Sequence, residues 1–174
     1  MLGQTLVGSR VRDLRSVLRY LRGRSDVDPA RITLWGDSFA PPNPPDRRLA
    51  VPLDAERLPD HAEPLGQLVA LFAALFDDGI AAIEVRSGLT RFASVLESPF
   101  CYVPHDCIVP GALTAGDLTD VIAALAPRPV RLREMVDGLN RSASADELER
   151  TFAPARATYQ AAGAADQFEV QPPN

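Results

Sequence analysis

What most constrains this chain is an alternation: segments with apolar residues at helical spacing are followed, again and again, by short continuous apolar runs. Val7, Val11, Leu14, Leu18 and Leu21 recur at steps of four and three with arginines between them, the one-sided stripe of an amphipathic helix over residues 5–23. Asp28-Pro29 marks a turn, because the residue before a proline is driven out of the helical region, and residues 31–35 read as a short buried strand. Residues 63–79 resume the helical period and stop at Gly79, residues 80–88 form a second apolar run, 89–98 a short helix, and 99–113 an irregular stretch. A helix over 114–127, with Thr114 as its N-cap and Pro127 just past its end, leads to a third strand at 129–137. Ser144-x-x-Glu147 opens a helix that ends at Gly163, and a fourth strand closes the chain at 166–173.

Strands separated by helices pair in parallel through right-handed crossovers, so the pattern predicts an α/β fold: a parallel sheet of about four strands with helices on both faces. A sheet this small leaves at least one edge in need of protection, and a second copy of the chain pairing there is the expected partner, giving a homodimer. With 174 residues, 46% hydrophobic and 24% charged, the chain is long enough to bury a core as one domain. The net charge of −5, with no visible basic face, argues against nucleic acid or an anionic membrane as partners. All 18 cationic residues are arginine, which speaks of GC-rich coding or a harsh habitat more than of chemistry. No stretch approaches a membrane span and the N-terminus lacks the pattern of a signal peptide, so a cytoplasmic location is the default expectation. Cys101 and Cys107 are too few for a disulfide framework and are expected as reduced, packed thiols.

The stretch that carries chemistry is Gly36-Asp37-Ser38-Phe39-Ala40, just past the first strand. Its spacing presents a serine on a tight strand-to-helix turn, with small residues where that turn must pack closely. Ligands of open parallel sheets sit beyond the carboxyl ends of the strands, where Ser38 lies. Asp37 is expected to cap the turn. Four prolines follow Ser38 within seven residues, at 41, 42, 44 and 45, so any helix there is about one turn long and the amides that would stabilise an oxyanion are reduced to that first turn. With Pro52 and Pro59, residues 41–62 form a long loop stiffened by proline.

The segment VGSRVRDLRSVLRYLRGRSDVDPARITLWGDSFA resembles the region before and through the nucleophile elbow of α/β-hydrolases of the acetyl xylan esterase and dienelactone hydrolase-like type. VPGALTAGDLTDVIAALAPRPVRLREMVDGLNR is similar to the later part of the same family, where APRP introduces the strand that carries the acid. The resemblance implies Ser38 as nucleophile, Asp137 as triad acid and Phe39 as donor of one oxyanion-hole amide. It also makes residues 1–174 a single hydrolase-like domain without the usual N-terminal strands and without the family's histidine after the last strand. From the residues alone, Asp137 follows the third strand and so leaves the same edge of the sheet as Ser38, and Gly138 offers the tight turn an exposed acid needs.

A serine nucleophile needs a base, and the chain has two histidines. His105, beside Asp106 in an irregular segment, is the first candidate for a substitute base, against the commoner role of a structural hydrogen-bonding residue, and His61 in the proline-rich loop is the second. His105, Asp106 and Cys107 are adjacent and cannot all face one ion, so no metal is expected. No glycine-rich phosphate loop follows any strand, so no nucleotide cofactor is expected either. The reading is a serine-dependent carboxylic-ester hydrolase that takes a small ester through an acyl-Ser38 intermediate, with a noncatalytic hydrolase-like domain used for binding or assembly as the alternative.

Overall fold

A computed structural model describes residues 5–51 and 54–172. Helix α1 (Leu6–Arg22) is capped by Thr5, whose hydroxyl accepts from Gly8 N–H at 3.0 Å, and it buries Val7, Val11 and Leu18. Strand β1 (Thr33–Asp37) begins two residues later than the apolar run suggested. The reason is local: Asp28 Oδ1 accepts from Ala30 N–H, and Pro29–Arg31 close into a 3-10 turn before the strand starts. Helix α2 (Leu65–Leu75), strand β2 (Ala82–Arg86), a 3-10 turn at Phe92–Leu96 and a second at His105–Cys107 follow.

Thr114 does not cap the next long helix. It lies in the single turn α3 (Ala112–Ala115), its hydroxyl donating to Gly111 O, and α4 (Leu118–Ala124) is capped by Asp117. Asp117 and Asp120 form a reciprocal capping box. The Asp117 carboxylate also accepts from Phe92 and Ala93 N–H at 2.6 and 3.0 Å, so a contact from 25 and 24 residues away selects the cap. Strand β3 (Val130–Arg133), helix α5 (Ala145–Ala161, capped by Ser144 and ended before Gly163 at φ +70°) and strand β4 (Phe168–Gln171) complete the chain. Of the residues read as loop and last strand, Pro52 and Pro173 lie outside the described residues.

The four strands are parallel and lie in the order β1-β2-β3-β4. The α/β class and the four-stranded sheet are as expected; the coverage of the sheet is not. In register, Leu34, Ile83, Val130 and Phe168 form one buried row, with Gly36, Val85 and Leu132 beside it. The opposite face carries Trp35, Glu84, Arg131 and Glu169, then Asp37, Arg86 and Arg133. There the strands are tied by ion pairs: Arg86 to Glu134 at 2.9 Å, Arg131 to Glu169 at 3.2 Å and Arg133 to Glu84 at 3.4 Å. The described helices therefore cover one face, not both, with α2 on β1 and β2, α1 on α2, and α4 against α5. Right-handed crossovers that step one strand at a time in a single direction keep every connecting helix on the same side.

The tightest helix-to-sheet contact sits directly before Ser38. A Cβ on Gly36 would lie 2.5 Å from Gly66 O, so β1 and the start of α2 meet backbone to backbone, which only glycine permits. Both cysteines are free, but only Cys107 is packed; Cys101 is exposed. Burial pushes the Cys107 thiol up to about 12, with the neighbouring Asp106 charge adding to the shift, so it is a hydrophobic core member and not a nucleophile.

Candidate active site

Ser38 stands where β1 ends, but it does not sit on the turn its spacing suggests. Its N–H donates to Arg86 O at 3.2 Å, continuing the ladder to β2, and its Oγ accepts from Ala40 N–H at 3.4 Å. The non-glycine residues with left-handed backbone among those described are Ser87, Glu134 and Asn140, and Ser38 is not one of them. No helical turn follows: residues 38–44 are irregular, because Pro41, Pro42, Pro44 and Pro45 supply none of the amide donors a helix would need. Asp37 consequently has no free amides to cap. It ends β1, its Oδ2 3.8 Å from the Arg86 guanidinium, while its Oδ1 is buried without a hydrogen-bond partner.

Asp137 lies beyond β3, at the same end of the sheet, two strands away from Ser38. Two strand spacings separate β1 from β3 by about 10 Å, and Asp137 stands four residues past the end of β3 where Ser38 directly follows β1. The Asp137 carboxylate is held from one side: Oδ1 accepts from Leu139 and Arg141 N–H, both at 2.9 Å. Gly138 is needed there for space, not for an unusual turn, since a Cβ would lie 2.6 Å from Ser94 O. The neighbouring Glu147 carboxyl is pushed up, first by burial and then by the Asp137 charge, so Asp137 faces a group that resists ionising beside it.

The Ser38 and Asp137 loops are joined by two buried asparagines that the sequence reading did not single out. Asn43, 2% exposed, donates through Nδ2 to Asp60 O at 2.8 Å and Leu139 O at 3.0 Å, and its Oδ1 accepts from Asp60 N–H at 2.9 Å. Asn140, 1% exposed, donates through Nδ2 to Pro41 O at 2.9 Å and Asp60 O at 3.2 Å, and its own carbonyl accepts from Asn43 N–H at 2.6 Å. In place of helical hydrogen bonds, the proline-rich segment is satisfied by this clasp. The one signal in the sequence was an amide side chain in the middle of Pro-Pro-Asn-Pro-Pro, a place where a backbone without donors needs side-chain partners.

Of the remaining candidates, Phe39 is 86% exposed, and its N–H makes no hydrogen bond among the described residues. His105 is exposed in the 3-10 turn that packs on α1 and α2. His61, also exposed, sits edge-on to Tyr102, ring centroids 5.4 Å apart. Its neighbours are part of the loop cluster: Asp60 binds both asparagines, Ala62 N–H donates to Tyr102 O, and Tyr102 N–H donates to Gly138 O. Neither histidine hydrogen-bonds to Ser38 or Asp137 among the described residues, so the three groups of a triad are not brought together here. A cavity of about 610 Å³ opens beside β1, lined by Trp35, Asp37, Glu63 and Asp106 among others; neither Ser38 nor Asp137 reaches it. Among the described residues no group of three or more His, Cys, Asp or Glu is placed to share a metal ion.

No family model matches the sequence, and no curated protein matches it. Among solved structures the chain is similar to a candidate acetyl xylan esterase from Bacteroides fragilis, with a TM-score of 0.64 at 18% identity over 95% of this chain. It spans 36% of that protein's length. At that identity the likeness establishes a shared fold: this is an α/β chain of the architecture seen in part of an esterase-like protein.

Proposed function

We propose that the chain is the nucleophile-bearing part of a serine carboxylic-ester hydrolase, acting on a small ester through an acyl-Ser38 intermediate. One observation carries the reading: Ser38 and Asp137 leave the same end of a parallel sheet and their loops are locked together by Asn43 and Asn140. The similarity in fold to a candidate acetyl xylan esterase supports the same class. In this scheme Ser38 Oγ attacks the ester carbonyl, the free Phe39 N–H donates to the developing oxyanion, and Asp137 orients the base. Between the two histidines, His61 is the better supported base, because its loop shares hydrogen bonds with both the Ser38 and the Asp137 loops; His105 lies with α1 and α2.

Reaction with a fluorophosphonate probe, followed by mass spectrometry of the labelled peptide, tests this directly. Labelling at Ser38 that disappears in Ser38→Ala and slows in His61→Ala, together with turnover of short-chain nitrophenyl esters, is the expected result. The ordinary backbone at Ser38 and its 6% exposure favour a second reading, a noncatalytic hydrolase-like module. Absence of both labelling and turnover rejects the esterase and leaves that module.

A further inference from the structure

We propose that the proline-rich loop carries a binding site for a dianionic oxyanion, the phosphate of a monoester, and that this site anchors a phosphorylated ester near Ser38; the ester part rests on the function proposed above. Arginines elsewhere in the structure meet carboxylates: Arg22 reaches Asp77, Arg86 reaches Glu134 and Arg133 reaches Glu84. Arg47, Arg48 and Arg141 form no ion pair among the described residues, and Arg47 and Arg141 are half-buried. Arg141 donates through Nη2 to Arg47 O at 3.4 Å, while its Nε is buried with no hydrogen-bond partner. Withdrawing a cation from water without a counter-charge is costly, so guanidinium groups that the protein's own carboxylates leave unanswered make a place for an anion from outside.

A cavity of about 430 Å³ opens at these residues, lined by Pro44, Asp46, Arg47, Arg48, Val51 and Arg57. Three guanidinium groups against one carboxylate leave its walls at a formal charge of +2. Outside the lining, Asp60 approaches Arg57 at 3.9 Å and Arg141 stands behind Arg47, so these two flanking charges offset each other. Asp54 and Glu56, on the same loop, pair with none of these arginines among the described residues. A carboxylate would answer half of that charge. A phosphate monoester carries about −1.5 to −2 at neutral pH on three acceptor oxygens, and guanidinium forks hold it through paired N–H donors.

Contacts inside the described fold fix these walls. Arg47 N–H donates to Pro44 O at 3.0 Å, closing the turn that sets both residues on one rim. Tyr102 Oη donates to Leu49 O, and Asn43 is clasped to Asp60 and Leu139. The clasp also fixes where the cavity lies. Asn140, next to Arg141, donates to Pro41 O, and Pro41 is three residues from Ser38. An anion held by Arg47 and Arg48 therefore sits on the loop cluster that carries the proposed nucleophile, and Pro44 and Val51 give the carbon chain between phosphate and ester an apolar wall.

The test is a calorimetric titration of the full chain with phenyl phosphate, which has no carboxylic ester for Ser38 to attack. Saturable binding is expected, with benzoate bound about tenfold more weakly or worse. Arg47→Ala and Arg48→Ala are each expected to weaken phenyl phosphate binding about tenfold, the loss of one charge-assisted hydrogen bond, with native far-UV circular dichroism because neither side chain bonds to the rest of the described fold. Arg19→Ala, which removes an exposed arginine of α1 that also lacks an ion pair, should leave binding unchanged. Inorganic phosphate separates the two sources of the group: weaker binding than phenyl phosphate marks an organic monoester, and equal binding marks the free ion and overturns the anchoring role. Absence of binding by both phosphates, or a loss in Arg19→Ala as large as in Arg48→Ala, overturns the site. Ser38→Ala is expected to bind phenyl phosphate as the native chain does, so a failure of this site and a failure of acylation at Ser38 are read separately.

Discussion

Removing the Asn43 side chain should be among the most costly single changes in this protein outside its apolar core. Asn43→Ala deletes three hydrogen bonds made by a residue that is 2% exposed, to Asp60 N–H, Asp60 O and Leu139 O. Asp60 O keeps Asn140 Nδ2 at 3.2 Å, so two half-buried groups are left without a partner: the Asp60 N–H and the Leu139 carbonyl. An orphaned buried donor or acceptor costs about 1–3 kcal/mol, and water reaching the loosened loop recovers part of that, giving a loss of about 2–4 kcal/mol. For a domain of this length that corresponds to a fall in Tm of about 5–15 °C. Guanidinium unfolding followed by far-UV circular dichroism reads it as a lower midpoint with an unchanged slope. A loss under about 0.5 kcal/mol, the size of an ordinary surface substitution, would refute the claim that the clasp anchors the proline-rich loop.

Two further outcomes follow from named contacts. Gly36→Ala places a methyl 2.5–2.7 Å from the Gly66 and Gln67 backbone, so α2 must move off β1; a loss of at least about 2 kcal/mol in the same unfolding assay is expected, and a neutral result would deny the close approach. Arg22 grips Asp77 through two hydrogen bonds of 2.9 and 2.7 Å, and that guanidinium holds the Asp77 carboxyl below its ordinary 3.8. The stabilisation is therefore complete above pH 3.8 and drains away as pH falls below it. Asp77→Asn is expected to lower stability by about 1–2 kcal/mol at neutral pH, and the gap from the native chain should close in acid; a gap independent of pH would contradict the pairing.

The contrast between Thr114 and Asp117 shows where reading from sequence reaches its end. Both are acceptable caps by local rules, and Asp117 wins because Phe92 and Ala93 bring their N–H groups to it. Ser38 followed the same course in the other direction. Its spacing and the strand before it were legible, as was the barrier the prolines raise against a helix, but what holds the loop instead depends on Asn43 meeting Leu139, 96 residues away. Asp137 was placed at the correct end of the sheet by counting strands, while its closeness to the half-buried Glu147, whose carboxyl it helps push up, could not be counted.

Periodicity and turn chemistry are properties of neighbours in the chain, which is why the order of helices and strands, the parallel sheet and the Ser144 cap can be read from the residues in order. Which face of the sheet the described helices cover, and which buried amides replace a missing helix, are properties of neighbours in space. Those are decided when β1 to β4 line up in one direction and loops far apart in sequence have to satisfy each other's backbone out of reach of water.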